Sequence, residues 1–311
     1  MNKKIPVLCV VGPTASGKTA MAVSLAEMLN GEIISADSMQ IYKYMDIATA
    51  KVTRDETRGV SHHLIDIIGP GEVFSVADFV AAASQAIKEI VSRGRLPVIA
   101  GGTGLYVSSF IDNIKFGNAV CDDSLREELS LEYDKVGGEA MLEEMRNFDP
   151  DSAAKFHPND KKRIVRAFEV YRSTGCTRSR FDAESRTEES PYDPYMLGLY
   201  FDDRAKLYDR INRRVDIMLE NGLVEEAKSV FELYGDNSTA LQAIGYKELL
   251  PYLRGECTLD QAADVIKLET RRYAKRQLSW FRRDSRIRWI NMSEPVCFES
   301  LALDIRRYFN F

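Results

Sequence analysis

The sequence predicts an α/β protein: a doubly wound parallel sheet of the phosphate-loop (P-loop) kind, with a smaller all-helical domain inserted and a helical C-terminal part. Three observations predict it. Short continuous apolar runs alternate with helical patterns over residues 5–111, the order expected of a sheet with helices on both faces. The first run leads straight into Gly12, Pro13, Thr14, Ala15, Ser16, Gly17, Lys18 and Thr19, which fit G-x-x-x-x-G-K-[ST]. The alternation then stops, and residues 112–195 carry helical patterns without a long apolar strand.

Taken in order, IPVLCVV (5–11) is apolar throughout and rich in β-branched residues, as a strand buried on both faces requires. After the loop, residues 18–29 follow a helical pattern that Asn30 and Gly31 end. EIISADS (32–38) reads as the second strand, and HHLIDII (62–68) as a third short strand or strand-like loop. Ser75 and Asp78 form a capping box, opening a helix that runs to about Arg93 and stops at Gly94. PVIAG (97–101) is a further buried strand, and GGTGLYVSSFI turns from it into a helix. Helices are expected over 124–135, 139–148 and 161–173, followed by a polar loop over 179–194. MLGLYF (196–201) returns to the sheet, and the chain is then helical to about Trp280. The domain reading is therefore 1–111 with 196–311 as the core, and 112–195 as the insert.

Bulk properties narrow the class. A chain of 311 residues buries enough surface to fold without disulfide or metal. Its cysteines (9, 121, 176, 257 and 297) are scattered and form no C-x-x-C, which fits a reducing cytosol. No apolar run approaches the ~18 residues of a membrane span, and the first residues run into a strand instead of forming a signal peptide. A cytoplasmic monomer with no membrane partner is the expectation. His62 and His63 are adjacent with no third ligand spaced nearby, so packing is expected of them, not metal binding.

The loop sets the chemistry. Backbone N–H groups of 13–19 would ring a phosphate chain at the positive end of the following helix. Lys18 would hold phosphate oxygens and the Thr19 hydroxyl would ligate Mg2+. A nucleotide hydrolase usually adds an apolar strand ending in Asp, yet PVIAG ends in Gly101, Gly102 and Thr103. The acid stands instead at Asp37, after the second strand, where it would face the same crevice. That layout suits group transfer from a phosphate-bearing donor to an acceptor touched by Asp37. A helix N-cap or turn is the plainer reading of Asp37. Beyond it, helix 204–221 carries the apolar stripe Leu207, Ile211, Val215 and Met218, flanked by Arg210 and Arg214.

Two segments are strongly basic within a chain of net charge −5: residues 161–180 carry seven Lys/Arg against Glu169, and 271–288 carry eight against Asp284. Both interleave aromatics, among them Phe168, Tyr171, Tyr273, Trp280 and Phe281. Such stripes suit phosphate contact and stacking on splayed RNA bases. They are of no use to a small-molecule kinase, the main competing reading.

GPTASGKT, DSMQIYKYMDIATAK (37–51), HHLID, FSVADF, GGTGLY, KRIVRAFEVY, QAIGYKE and KRQLSWFRR occur in this order across most of the chain, and in this the sequence resembles the tRNA dimethylallyltransferases. The resemblance implies dimethylallyl diphosphate as donor. It implies as acceptor the N6 of the adenine 3′ of the anticodon, in the anticodon stem-loop of tRNAs reading codons that start with U. The phosphates would then be the donor's, not those of ATP. Thr103 resembles a family threonine at the reaction centre, and Arg214 stands where the family has a diphosphate-contacting arginine. The acceptor base, pulled from its stack, would enter a channel lined by Asp37, Ser38, Met39, Gln40 and Gln242 to Lys247. Gly245 would allow close backbone approach there, beside Tyr246 and Lys247. Further tRNA contacts are expected at Arg126, Lys162, Arg163, Arg166, Lys275, Arg276, Gln277, Trp280 and Arg282. A prenyltransferase acting on free AMP or ADP remains the closest alternative.

Overall fold

The computed structural model describes residues 4–116, 122–185, 188–235 and 240–311. Cys121 lies outside them. Six parallel strands form one sheet: β1 (Ile5–Val11), β2 (Gly31–Ser35), β3 (His62–His63), β4 (Leu96–Gly101), β5 (Tyr192–Tyr200) and β6 (Ile287–Asn291), in the order β3-β2-β4-β1-β5-β6. Side chains of Val7 to Val11 are wholly buried, because β1 is central and covered on both faces. Phe79, Ile87, Tyr106 and Phe110 cover one face, and Met21, Leu25, Ile305 and Phe309 the other. Helix Val76–Ser92 starts at the expected capping box, where the Ser75 hydroxyl accepts the Asp78 amide and the Asp78 carboxylate accepts that of Ser75.

The chain divides into two compact units, Met1–Ile111 with Pro191–Phe311, and Asp112–Ser190. The insert thus ends at Ser190, not 195, because Ile5 already donates to the Pro191 carbonyl and β5 pairs with β1 from Tyr192 onward. By itself the insert is a helical unit around Leu129, Met141, Met145, Ile164 and Phe168. Its helix Arg178–Glu184 occupies part of the stretch expected as loop, capped by the Thr177 hydroxyl. Three other expectations change. β2 stops at Ser35, and β3 is only two residues long. β6, which starts at the end of the second basic segment, is a strand that Arg288 and a half-exposed edge hide from a hydrophobicity pattern.

The remaining helices build an arm on the core. Val215, Leu223, Tyr246 and Ile266 pack against Ile41, Tyr42 and Met45 of the long loop after β2. That loop carries Asp37 near its start, so the arm's apolar packing fixes where the carboxylate's segment runs.

One glycine pins β2 to β4 here: a Cβ on Gly101 would overlap the Ala36 carbonyl. Gly101→Ala must part the two strands at the foot of the site, and we expect a loss of about 3 kcal/mol or more in urea unfolding.

Candidate active site

The phosphate loop leaves β1 at Gly12, whose φ of 146° and approach to β5 (a Cβ would lie 2.8 Å from the Leu199 carbonyl) leave no place for a side chain. Ala15 and Gly17 also have positive φ, 61° and 92°, so the loop curls tightly before helix Lys18–Met28. The cradle is narrower than the run 13–19. Pro13 has no N–H, the Thr14 amide donates to Gln277 Oε1 at 2.8 Å, and the Ser16 amide donates to the Pro13 carbonyl at 3.3 Å. The amides of Ala15, Gly17, Lys18 and Thr19 have no intramolecular acceptor among the described residues. The helix carries no acid in its first turn and no side-chain cap, so these donors and the dipole together suit an anion. The Ser16 hydroxyl is buried without a partner, the mark of a polar atom completed by something other than this chain.

Lys18 reaches back across the loop and donates from Nζ to the Pro13 carbonyl at 2.7 Å. Burial pushes its ammonium down to about 8, the positive charge of Arg214 adds to this, and Asp37 opposes it. The two arginines of helix Arg204–Glu220 divide their work. Arg210 Nε donates to the Ala15 carbonyl at 2.9 Å with its guanidinium over Phe201, holding the loop from outside. Arg214, one turn on, lines the cavity. Burial pulls its guanidinium down from its ordinary value, against the charges of Asp37 and Glu56.

Asp37 follows β2 by two residues. Its Oδ1 accepts the Met39 amide at 2.9 Å, an Asx turn that aims the carboxylate. Thr103, from the turn after β4, receives the Ser38 amide on Oγ1 at 3.0 Å, and its own amide donates to the Ala36 carbonyl at 3.1 Å. Its oxygen thus serves the backbone beside Asp37, while its O–H donates to the Ser38 hydroxyl at 3.4 Å. Gln277 joins this turn to the phosphate loop: its Nε2 donates to the Gly102 carbonyl at 3.0 Å while its Oε1 holds Thr14.

A cavity of about 270 Å³ joins part of this arrangement, and Lys18, Thr19 and Thr103 do not line it. Thr14, Asp37 and Arg214 line it with Ser38, Met39, Gln242, Gly245, Lys247 and Arg276. Gly245 has a φ of 108°, a backbone shape side chains resist. The cavity also takes Ala48, Thr49 and Thr270, to which the sequence assigned no role. Only the motif DIATAK, quoted without any chemistry attached, pointed towards the first two.

Several expected RNA contacts are placed otherwise. Gln277 is 4% exposed and spends both ends of its amide on the clamp. Tyr246 is wholly buried, its hydroxyl donating to Glu226. Gln40 is a brace, with Nε2 donating to the Thr49 and Ala50 carbonyls and Oε1 accepting the Ser35 hydroxyl. Within the insert, Arg126 and Arg166 both engage the buried Glu169, each at 2.9 Å. Burial pushes that carboxyl up, yet the two guanidiniums hold it below the usual range. Lys162, Arg163, Lys275, Arg276 and Arg282 are exposed, Arg163 pairing with Asp160, and Trp280 is 37% exposed. His63 bonds Glu32 at 2.7 Å and His62 bonds the Val60 carbonyl at 2.9 Å. Among the described residues no cluster of three His, Cys, Asp or Glu could hold a metal, and no helix is long and apolar enough to cross a membrane.

Comparison with known proteins supplies independent findings. The family model described as IPP transferase matches residues 40–284. The tRNA dimethylallyltransferase of Acetivibrio thermocellus is 49% identical over 303 residues, 97% of this chain and 96% of that protein. That of Halalkalibacterium halodurans is 46% identical over 305 residues, 98% and 96% of the two chains. These alignments include the phosphate loop, which the family model leaves out. Among solved structures, the full-length tRNA isopentenylpyrophosphate transferase of Bacillus halodurans superposes with a TM-score of 0.72 at 45% identity, covering 99% of this chain and 96% of that one. A eukaryotic dimethylallyltransferase described as acting on tRNA gives a TM-score of 0.82 at 27% identity, covering 98% of this chain and 80% of that one. A cradle facing an aspartate, a helical insert and an end-to-end match to these proteins converge on one assignment: the chain belongs to the IPP transferase family.

Proposed function

We propose that this chain transfers a dimethylallyl group from dimethylallyl diphosphate to the exocyclic N6 of the adenine 3′ of the anticodon, in tRNAs that read codons starting with U. The observation that carries this reading is the meeting, in one cavity, of Thr14 of the phosphate loop, Arg214 and Asp37, with no carboxylate at the end of β4 to serve a hydrolytic water.

The donor's diphosphate sits on the amides of Ala15, Gly17, Lys18 and Thr19, with the Lys18 ammonium turned from the Pro13 carbonyl onto its oxygens and Arg214 on the cavity side. Thr19, an exposed residue at the start of the helix, would hold Mg2+ through its hydroxyl, and the ion would supply further neutralisation of the leaving group. An allylic carbon tolerates positive charge, so leaving-group stabilisation and positioning carry the rate. The C–O bond breaks with its electron pair on the diphosphate, the N6 lone pair forms the new C–N bond, and the N6 proton passes to the Asp37 carboxylate. Thr103 acts through the backbone, holding the Ser38 amide and so the Asp37 turn.

The RNA is held by exposed cations, Lys275, Arg276 and Arg282 on the core and Lys162 and Arg163 on the insert, with Trp280 as a stacking surface. The residues named above all come from one chain, which fits the proposal of a monomer working in the cytoplasm.

Incubation with labelled dimethylallyl diphosphate and unmodified tRNA should place the label on the tRNA. Label on free AMP or ADP, or ATP consumed on a small hydroxyl acceptor, would overturn the assignment. Asp37→Ala should lower turnover by about 10²- to 10⁴-fold while tRNA affinity persists; full turnover in that variant would remove Asp37 as the proton acceptor.

Lys18 gives a pH signature. The charged ammonium attracts the donor, and in the free site it loses its proton as pH rises through about 8. Donor KM should be flat below that pH and climb by up to about tenfold per unit above it, with kcat at saturating donor unchanged. Raising salt from about 50 to about 200 mM should weaken tRNA binding by tenfold or more, since each phosphate contact releases a counterion; a flat response would count against the basic surface.

A further inference from the structure

We propose that Glu226 is a positioning residue that holds two walls of the acceptor end of the cavity in register, an inference that rests on the tRNA reading above. Glu226 lies in the first turn of helix Leu223–Tyr234. Its Oε2 accepts the amides of Asp46 and Ile47, both at 2.8 Å, and its Oε1 accepts the Ala48 amide at 3.0 Å and the Tyr246 hydroxyl at 2.7 Å. Three consecutive amides converging on one anion form a nest, and the tyrosine adds a fourth donor from a different segment.

Those two segments are walls of the cavity. Ala48 and Thr49 line one side, and Gly245 and Lys247, the neighbours of Tyr246, line another. They meet beside the carboxylate: a Cβ on Gly245 would lie 3.5 Å from the Ala48 Cβ, ordinary van der Waals contact. One side chain thus fixes the separation of two backbones that have no strand pairing between them. An acid in a first turn also suits the helix dipole. A dipole partner needs no contacts beyond its own helix, however, and all four donors to Glu226 come from elsewhere. The phosphate loop is held by other bonds, those of Gln277 and Arg210, so the effect of Glu226 falls on the acceptor side alone.

The test is steady-state prenylation of tRNA by Glu226→Ala and Glu226→Gln, varying each substrate separately, with thermal unfolding alongside. A displacement of about 1 Å in an active-site wall costs on the order of 10²-fold, so Glu226→Ala should lose about that much in kcat/KM for tRNA while donor KM stays within about twofold. Glu226→Gln has the same volume and keeps one acceptor oxygen, so it should recover part of the loss, and it carries the test if the alanine variant does not fold. Values of kcat/KM for tRNA within about twofold of the parent in both variants would overturn the proposal. So would a rise in donor KM equal to that for tRNA, or a glutamine variant no better than alanine. A parent chain that labels no tRNA overturns the underlying assignment instead, and that is seen before any substitution is made.

Discussion

The site depends on one buried amide. Gln277 receives the Thr14 N–H and donates to the Gly102 carbonyl, and so joins the phosphate loop to the turn that carries Thr103. Both partners are backbone groups, and no other hydrogen bond to either occurs among the described residues. Losing the amide would strand two of them, at about 1–3 kcal/mol each. The same clamp explains the sequence around it. Gly102 has no side chain because a Cβ would overlap Gln277 Nε2, and Gly104 has none because the Trp280 indole lies against it. Helix Leu259–Phe281 therefore acts as a spine along the carboxyl ends of β1 and β4, and the donor and acceptor halves of the site keep their spacing because a single side chain touches both.

Charge is organised by the same logic of satisfaction. Two buried acids each gather two arginines: Glu32 takes Arg93 and Arg95 and also bonds His63, and Glu169 takes Arg126 and Arg166. An acid buried this deeply is tolerable only when paired, so part of what reads as a basic stripe is internal structure. What is left over for a polyanion is smaller than the sequence count, and lies on exposed positions such as Lys275, Arg276 and Arg282.

This is also where the sequence stops being legible. The apolar runs of β1 and β4, the capping box at Ser75 and the G-x-x-x-x-G-K-T loop each encode a local geometry, and their local meaning survives in the fold. The direction in which a polar side chain on an amphipathic helix points is not local. Gln277 and Lys275 stand two residues apart in one basic segment, yet one is a buried clamp and the other faces solvent. Tyr246, expected in the channel lining, is in fact core, because the arm folds over it. β6 escaped because a short edge strand needs only one good face, and Arg288 occupies the other, stacked on Tyr195. Glu226 lies far in sequence from the loop it holds, so nothing near it announces its partners.

The resting contact of Lys18 has a consequence for selectivity. Its ammonium already has an oxygen, the Pro13 carbonyl, at 2.7 Å, so an incoming anion must displace a neutral acceptor before it gains the cation. A singly charged, well-hydrated ion such as chloride or bicarbonate has little to offer in that exchange. A group bearing several negative charges, able to engage the loop amides and Arg214 at the same time, recovers far more than it displaces. The loop would thus discriminate by ligand valence, with the cell's abundant simple anions poor competitors for it.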